Sequence, residues 1–151
     1  MEIKQLMKED IPELLNLRIE QQKEYHECLN DEEKYIIEYT KNYIEENLNK
    51  DLFMFGAFEQ NEIVAICGYN IWNGFPSMTN HSGKIAYLCS AYTKQKFRGK
   101  GIMKDLLNNS IEKIKKQGIS RVKLNTSKEN AVRIYSSLGF VKDETAMILD
   151  L

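Results

Sequence analysis

The sequence is poor in the residues that build covalent or metal frameworks. Its three cysteines, Cys28, Cys67 and Cys89, are odd in number and lack C-x-x-C spacing. Neither a disulfide framework nor a zinc site is indicated. Two histidines, His26 and His81, are too few for a metal cluster without carboxylate help, and no metal is expected. The longest apolar stretch, around residues 63–69, falls far short of the roughly 20 residues of a membrane-spanning helix. The opening decapeptide MEIKQLMKED has no apolar core of signal-peptide length. No internal repeat or low-complexity tract is present. With 42% hydrophobic and 28% charged residues, the composition is that of a soluble globular protein. The expectation is a single cytoplasmic domain over residues 1–151, with no membrane partner.

Net charge is also nearly absent, at −1, but each half of the chain is short of one sign. Residues 1–62 carry seven basic against sixteen acidic side chains, a net of −9. Residues 63–151 carry fourteen basic against six acidic, a net of +8. Such asymmetry speaks of charged partners rather than of a fold.

Periodicity supplies the elements. Residues 1–6 read as a short strand. Asp10, Pro12 and Glu13 have the spacing of a capped helix start, and Ile11, Leu14, Leu15, Arg18 and Ile19 continue at helical spacing to about Glu27. Asn30-Asp31 opens a second helix with Tyr35, Ile36, Tyr39, Tyr43 and Ile44 on one face. Two β-rich runs, 52–58 and 63–71, flank a hairpin turn at 59–62. Residues 72–83 read as a long loop and 85–93 as a strand. A helix follows with Ile102, Leu106, Leu107, Ile111 and Ile114 inward, closed by Gly118. Residues 121–124 are a strand, and 127–138 a helix capped by Ser127. Phe140-Val141 and residues 145–149 make final strands. The order β-α-α-β-β-β-α-β-α-β predicts an α+β fold around a mixed, mostly antiparallel sheet flanked by helices.

Arg98-Gly-Lys-Gly-Ile-Met103 lies between a predicted strand and a predicted helix. Unpaired N–H groups at a helix start attract anions, and Gly99 and Gly101 let the backbone approach one closely. Lys94, Lys96, Arg98, Lys100 and Lys104 surround this turn, which favours a multiply charged phosphate ligand. Neither a P-loop nor G-x-G-x-x-G is present, so P-loop hydrolysis and a dinucleotide fold are unsupported. The cations cluster at one turn rather than spreading over a long face, so no nucleic-acid partner is expected.

Tyr92-Thr-Lys-Gln-Lys-Phe-Arg-Gly-Lys-Gly-Ile102 resembles the acetyl-CoA pyrophosphate motif, [Q/R]-x-x-G-x-[G/A], of the GNAT acetyltransferase superfamily. Arg98 and Gly101 match, and Met103 stands where Gly or Ala is usual. Ala131-Val-Arg-Ile-Tyr-Ser-Ser-Leu-Gly-Phe140 resembles the family's A-x-x-[L/I]-Y-x-x-L-G-F signature. The resemblance covers essentially the whole chain. It implies an N-acetyltransferase using acetyl-CoA as co-substrate and a primary amine as acceptor, often as a homodimer. It further implies that the main chain of Ala91 and Thr93 pairs with the pantetheine arm. The amides near Arg98, Gly99, Lys100, Gly101, Met103 and Lys104 would hold the pyrophosphate. Lys128 occupies a position where the family often has a cofactor-contacting Asn, and Asn125 or Asn130 could substitute, with Asn130 assigned. Tyr135 matches the tyrosine that protonates the departing thiolate, a task a phenol can perform.

The general base is not identified. Glu24, His26, Glu27 and His81 are candidates, while Cys89 and Ser90 lack the partners of covalent catalysis. Tyr25, Tyr35 and Tyr39 receive no role. The acidic first half would border the acceptor groove, where carboxylates would attract a cationic amine. A non-catalytic acyl-CoA-binding domain on the same fold is the alternative reading.

Overall fold

The computed structural model describes residues 1–26, 32–145 and 147–151, with the side chains of Glu32 and Glu33 outside that description. Five runs rich in β-branched and aromatic residues form one sheet: β1 (Glu2–Gln5), β2 (Leu52–Glu59), β3 (Glu62–Asn73), β4 (Lys84–Thr93) and β5 (Val122–Lys123). They lie in chain order, antiparallel throughout except for the parallel β4–β5 pair. β2 and β3 are apolar almost continuously because helices cover both faces of the sheet. α1 (Ile11–Tyr25) and α2 (Glu32–Asn47) pack on one face through Leu14, Leu17 and Ile44. α3 (Ile102–Lys115) packs on the other through Ile102, Leu106, Leu107 and Ile114, and α4 (Glu129–Ser137) joins it there. The fold is the expected mixed sheet flanked by helices.

Several local expectations change. Asp10 does not cap α1; its carboxylate accepts from the Met7 N–H at 2.8 Å, because a short 3₁₀ turn precedes the helix. Glu13 reaches away from its own helix and accepts from the Ile63 N–H at 2.7 Å, tying α1 to the start of β3. The expected helix start at Asn30-Asp31 lies outside the described residues. On α2 only Ile44 of the expected apolar face is buried, whereas Tyr35, Ile36, Tyr39 and Tyr43 are exposed. Trp72 belongs to β3, not to a loop, and stacks on Tyr87 of β4 at 4.9 Å. The connection at 74–83 is itself a tightened hairpin, closed by Gly74 N–H to Gly83 O. Lys128, not Ser127, is the N-cap residue of α4.

The expected final strands do not form among the described residues. Gly139, at φ +91°, turns the chain away from α4, and Thr145 bonds locally to Asp143 instead of to a strand. β5 offers only two residues as a template, too short to bury the alternating apolar side chains that follow. Val141, Met147, Ile148 and Leu149 therefore remain exposed.

Candidate active site

β4 carries the site because its two edges are treated differently. On one edge it pairs with β3 along most of its length. On the other, pairing with β5 stops at Tyr87↔Lys123, although β4 continues to Thr93. From residue 88 to 93 the backbone on that side has no neighbouring strand among the described residues.

A bulge lies within this free stretch. The β3–β4 register passes from Gly68↔Cys89 to Ile66↔Tyr92, leaving Ser90 and Ala91 opposite Cys67. Ser90 takes φ +53°, a left-handed conformation rare for a residue with a side chain. Such an irregularity re-aims the backbone groups beside it.

At its end β4 runs through a short 3₁₀ turn into the glycine turn. Gly99 and Gly101 have φ +76° and +78°, values that disfavour any side chain. Gly101 is the N-cap residue of α3 and supplies no side-chain cap. The first intrahelical bond runs from Asp105 N–H to Gly101 O at 3.1 Å, so the amides of Ile102, Met103 and Lys104 have no acceptor within the helix. That is an anion cradle of backbone donors, strengthened by the helix dipole. An open strand edge leading to this cradle suits an extended amide-bearing arm ending in a diphosphate. The residues therefore fit CoA.

The five cations around the turn are not equivalent. Lys94 and Lys96 both reach Glu62, at 2.7 and 3.5 Å. Arg98 is engaged three ways: its Nε donates to Thr93 O at 2.8 Å, its terminal nitrogens form a bidentate pair with Glu24 at 2.8 and 2.6 Å, and its plane lies over Tyr92. Lys100 and Lys104 make no ion pair among the described residues. The Arg98 guanidinium is thus committed within the protein, and what the turn offers an anion is its amides and these two lysines.

α1 runs over the open edge of β4, and one helical stripe faces it. Arg18 lies beside Cys89 at the bulge. Buried Gln21 donates to Ala91 O at 3.2 Å. Glu24 meets Arg98, and the Tyr25 ring lies under the Lys128 ammonium at 3.2 Å. The i, i+3, i+6, i+7 spacing joins bulge, glycine turn and α4 with a single helix.

Tyr135 approaches from the opposite face, packed on Phe140 at 5.6 Å and against the α3-side core. Burial, helped by neighbouring Cys67 and Tyr25, pushes its pKa up to about 12. Cys67, the residue opposite Ser90 and Ala91, is one of the groups that act electrostatically on the Tyr135 hydroxyl. Asn130 is exposed in the first turn of α4.

Of the candidates for a base, Glu24 is held by Arg98, which keeps its carboxyl below the usual range. His26 and His81 are exposed, and Glu27 lies outside the described residues. Burial raises the Cys89 thiol, which argues against a thiolate nucleophile. Sequence reasoning missed Arg18 and Gln21 as site residues, because on α1 they look like ordinary polar positions.

The acetyltransferase (GNAT) family model matches residues 11–140. No curated protein sequence matches the chain. Among solved structures, a predicted acetyltransferase with acetyl-CoA from Clostridium acetobutylicum is 25% identical, with a TM-score of 0.81, covering 99% of this chain and 95% of its own. A GCN5-related N-acetyltransferase from Ralstonia eutropha JMP134 superposes with a TM-score of 0.84 at 18% identity, covering 99% and 97%. An aminoglycoside acetyltransferase from an uncultured soil metagenomic sample, in complex with sisomicin, has a TM-score of 0.74 at 17% identity, covering 99% and 94%. The match of the family model over most of the chain, on a fold whose open strand edge ends in a glycine turn, shows that the protein belongs to the GNAT acetyltransferase family.

Proposed function

We propose that this single domain is an N-acetyltransferase that moves the acetyl group of acetyl-CoA directly to a primary amine. The observation that carries the reading is the free edge of β4 from 88 to 93, running into the amide cradle at α3. Acetyl-CoA supplies an activated thioester. The backbone of Ala91 and Thr93 holds the pantetheine arm, as a strand would be held. The carbonyls of both residues already accept from Gln21 and Arg98, and each keeps a second lone pair. The amides near Arg98, Gly99, Lys100, Gly101, Met103 and Lys104 hold the diphosphate, with Asn130 beside it.

Tyr135 acts as the acid. An N–C bond forms as the C–S bond breaks, the phenol proton goes to the departing thiolate sulfur, and the proton lost by the amine nitrogen restores the phenol through water. A pKa of about 12 keeps that hydroxyl protonated throughout the physiological range. Two measurements test the reading: calorimetric binding of acetyl-CoA, and thiol release over an amine library. Binding with amine-dependent thiol release supports it, and failure of acetyl-CoA to bind overturns it.

A second reading, a non-catalytic acyl-CoA-binding domain, is favoured by the pairing of Glu24 with Arg98, which occupies a candidate base. Acetyl-CoA binding without thiol release across the library would support that reading instead.

A further inference from the structure

The acceptor side of this site contains a cation to which the described residues give no counter-charge. Arg18 is half-buried on α1, and among the described residues no carboxylate pairs with it. Its partners are two neutral amides of its own helix. Nη1 donates to Gln21 Oε1 at 2.6 Å. The Gln22 amide, with its oxygen turned inward, accepts from Nη1 at 2.8 Å and Nη2 at 3.0 Å.

A guanidinium has five N–H donors in one plane. Gln22 takes the end between the two terminal nitrogens, and Gln21 takes the outer N–H of Nη1. The Nε–H and the outer N–H of Nη2 have no acceptor among the described residues. Those two donors share one edge of the plane, an edge suited to a bidentate carboxylate.

Placement makes that edge relevant to the reaction. Gln21 accepts from Arg18 with its oxygen and donates from Nε2 to Ala91 O, so one buried amide locks the guanidinium to the bulged strand. Arg18 also lies close enough to Cys89 to act on its thiol. Nearby acids are engaged elsewhere or sit further along the helix. Glu13 accepts from the Ile63 N–H, Glu24 is paired with Arg98, and Glu20 acts on Tyr92. Partial burial disfavours a charge without a counter-ion, and a ligand anion would supply one.

We propose that Arg18 is the acceptor-binding residue and that the acceptor is a primary amine bearing a carboxylate, with the carboxylate on Nε and Nη2 and the amine directed toward the bulge. The inference rests on the N-acetyltransferase reading and names the substrate class of that site. It reverses the expectation that the acidic half of the chain selects a purely cationic amine.

The test uses glutamate, phenylalanine, methionine and β-alanine as acceptors, each beside its carboxamide, with acetyl-CoA as donor. For at least one acid, kcat/KM should exceed that of the matched amide by about tenfold or more. Arg18→Met should erase the preference through acceptor KM and leave acetyl-CoA affinity within about twofold. Arg18→Lys keeps the charge without the fork and should keep a reduced preference, which covers the case in which the methionine variant does not fold. Calorimetry of the same compounds on the CoA-loaded protein reads the seat without turnover. Amides used as well as acids, with Arg18→Met indifferent, would overturn the inference while leaving the transferase reading intact. Acids that bind the wild type and not Arg18→Met, with no thiol release from any amine, would support the seat and defeat the transferase reading. If none of the four acids binds or reacts, the inference falls.

Discussion

The glycine turn and the α1 wall both border the last residues of β4, yet they are made of different material. The turn is backbone: left-handed glycines, an uncapped helix start and an unpaired strand edge. The wall is side chains: Arg18, Gln21, Glu24 and Tyr25, spaced along one stripe of a helix. A backbone site constrains which residues can occupy it, because only glycine takes φ near +77° without strain. A side-chain site can be assembled from many residues on many helices. The first is therefore expected to govern the cofactor and the second the acceptor.

The largest expected effect lies at Tyr135, the residue proposed as the acid. Tyr135→Phe should lower kcat by about 100-fold or more, with acetyl-CoA affinity unchanged. Steady-state kinetics with calorimetry reads both, and unaltered kcat would remove the residue from the acid role. Because its pKa is about 12, loss of the phenol proton should not limit the rate until the pH approaches that value. An alkaline fall in kcat near pH 9 that persists in Tyr135→Phe would belong to another group.

Next comes the backbone site alone. Gly101→Ala should weaken acetyl-CoA about tenfold and cost about 1–2 kcal/mol of stability by forcing a side chain into left-handed backbone. Selectivity among acceptors should survive. If selectivity changed while acetyl-CoA binding did not, the division between cofactor turn and acceptor wall would be wrong.

Gln21→Leu probes the wall. It removes the link from Arg18 to Ala91 O and should cost about 1 kcal/mol in chemical denaturation. It should also raise acceptor KM several-fold.

The smallest effect belongs to Glu24→Gln. The Glu24–Arg98 pair is largely solvated, so its contribution to stability is a few tenths of a kcal/mol at most. The folded-state carboxyl is lowered, so that contribution is present above the ordinary carboxylate pKa and fades as pH falls through the lowered value. The stability difference between wild type and variant, read by urea unfolding, should be visible at pH 7 and vanish in strong acid.

The same division explains what the sequence disclosed. Gly99, Gly101 and the helix after them were legible because backbone demands leave few residue choices. The period change near residue 51 announced the sheet for a similar reason, since strands buried on both faces read as apolar runs. Arg18 and Gln21 were illegible because their roles depend on what α1 lies across, and helical spacing reveals only which positions share a face. Asn73-Gly74 resembles a turn and so points to a loop from Trp72, whereas the stacking of Trp72 on Tyr87 carries the strand past the point where propensity fades. The final strands were expected from alternation alone, which says nothing about whether a template long enough to pair with them exists.

That short template has a dynamic consequence. α4, which carries Tyr135, follows a strand joined to the sheet by two residue pairs, while β2 and β3 are held on both edges. The segment from β5 through α4 is thus expected to open at a lower free energy than β2 and β3. Its amides should exchange with deuterium well before those of β3, and a ligand spanning β4 and α4 should slow that exchange more than exchange anywhere else. Proton delivery to the leaving group would then depend on a helix that is fastened in place only while there is something to react.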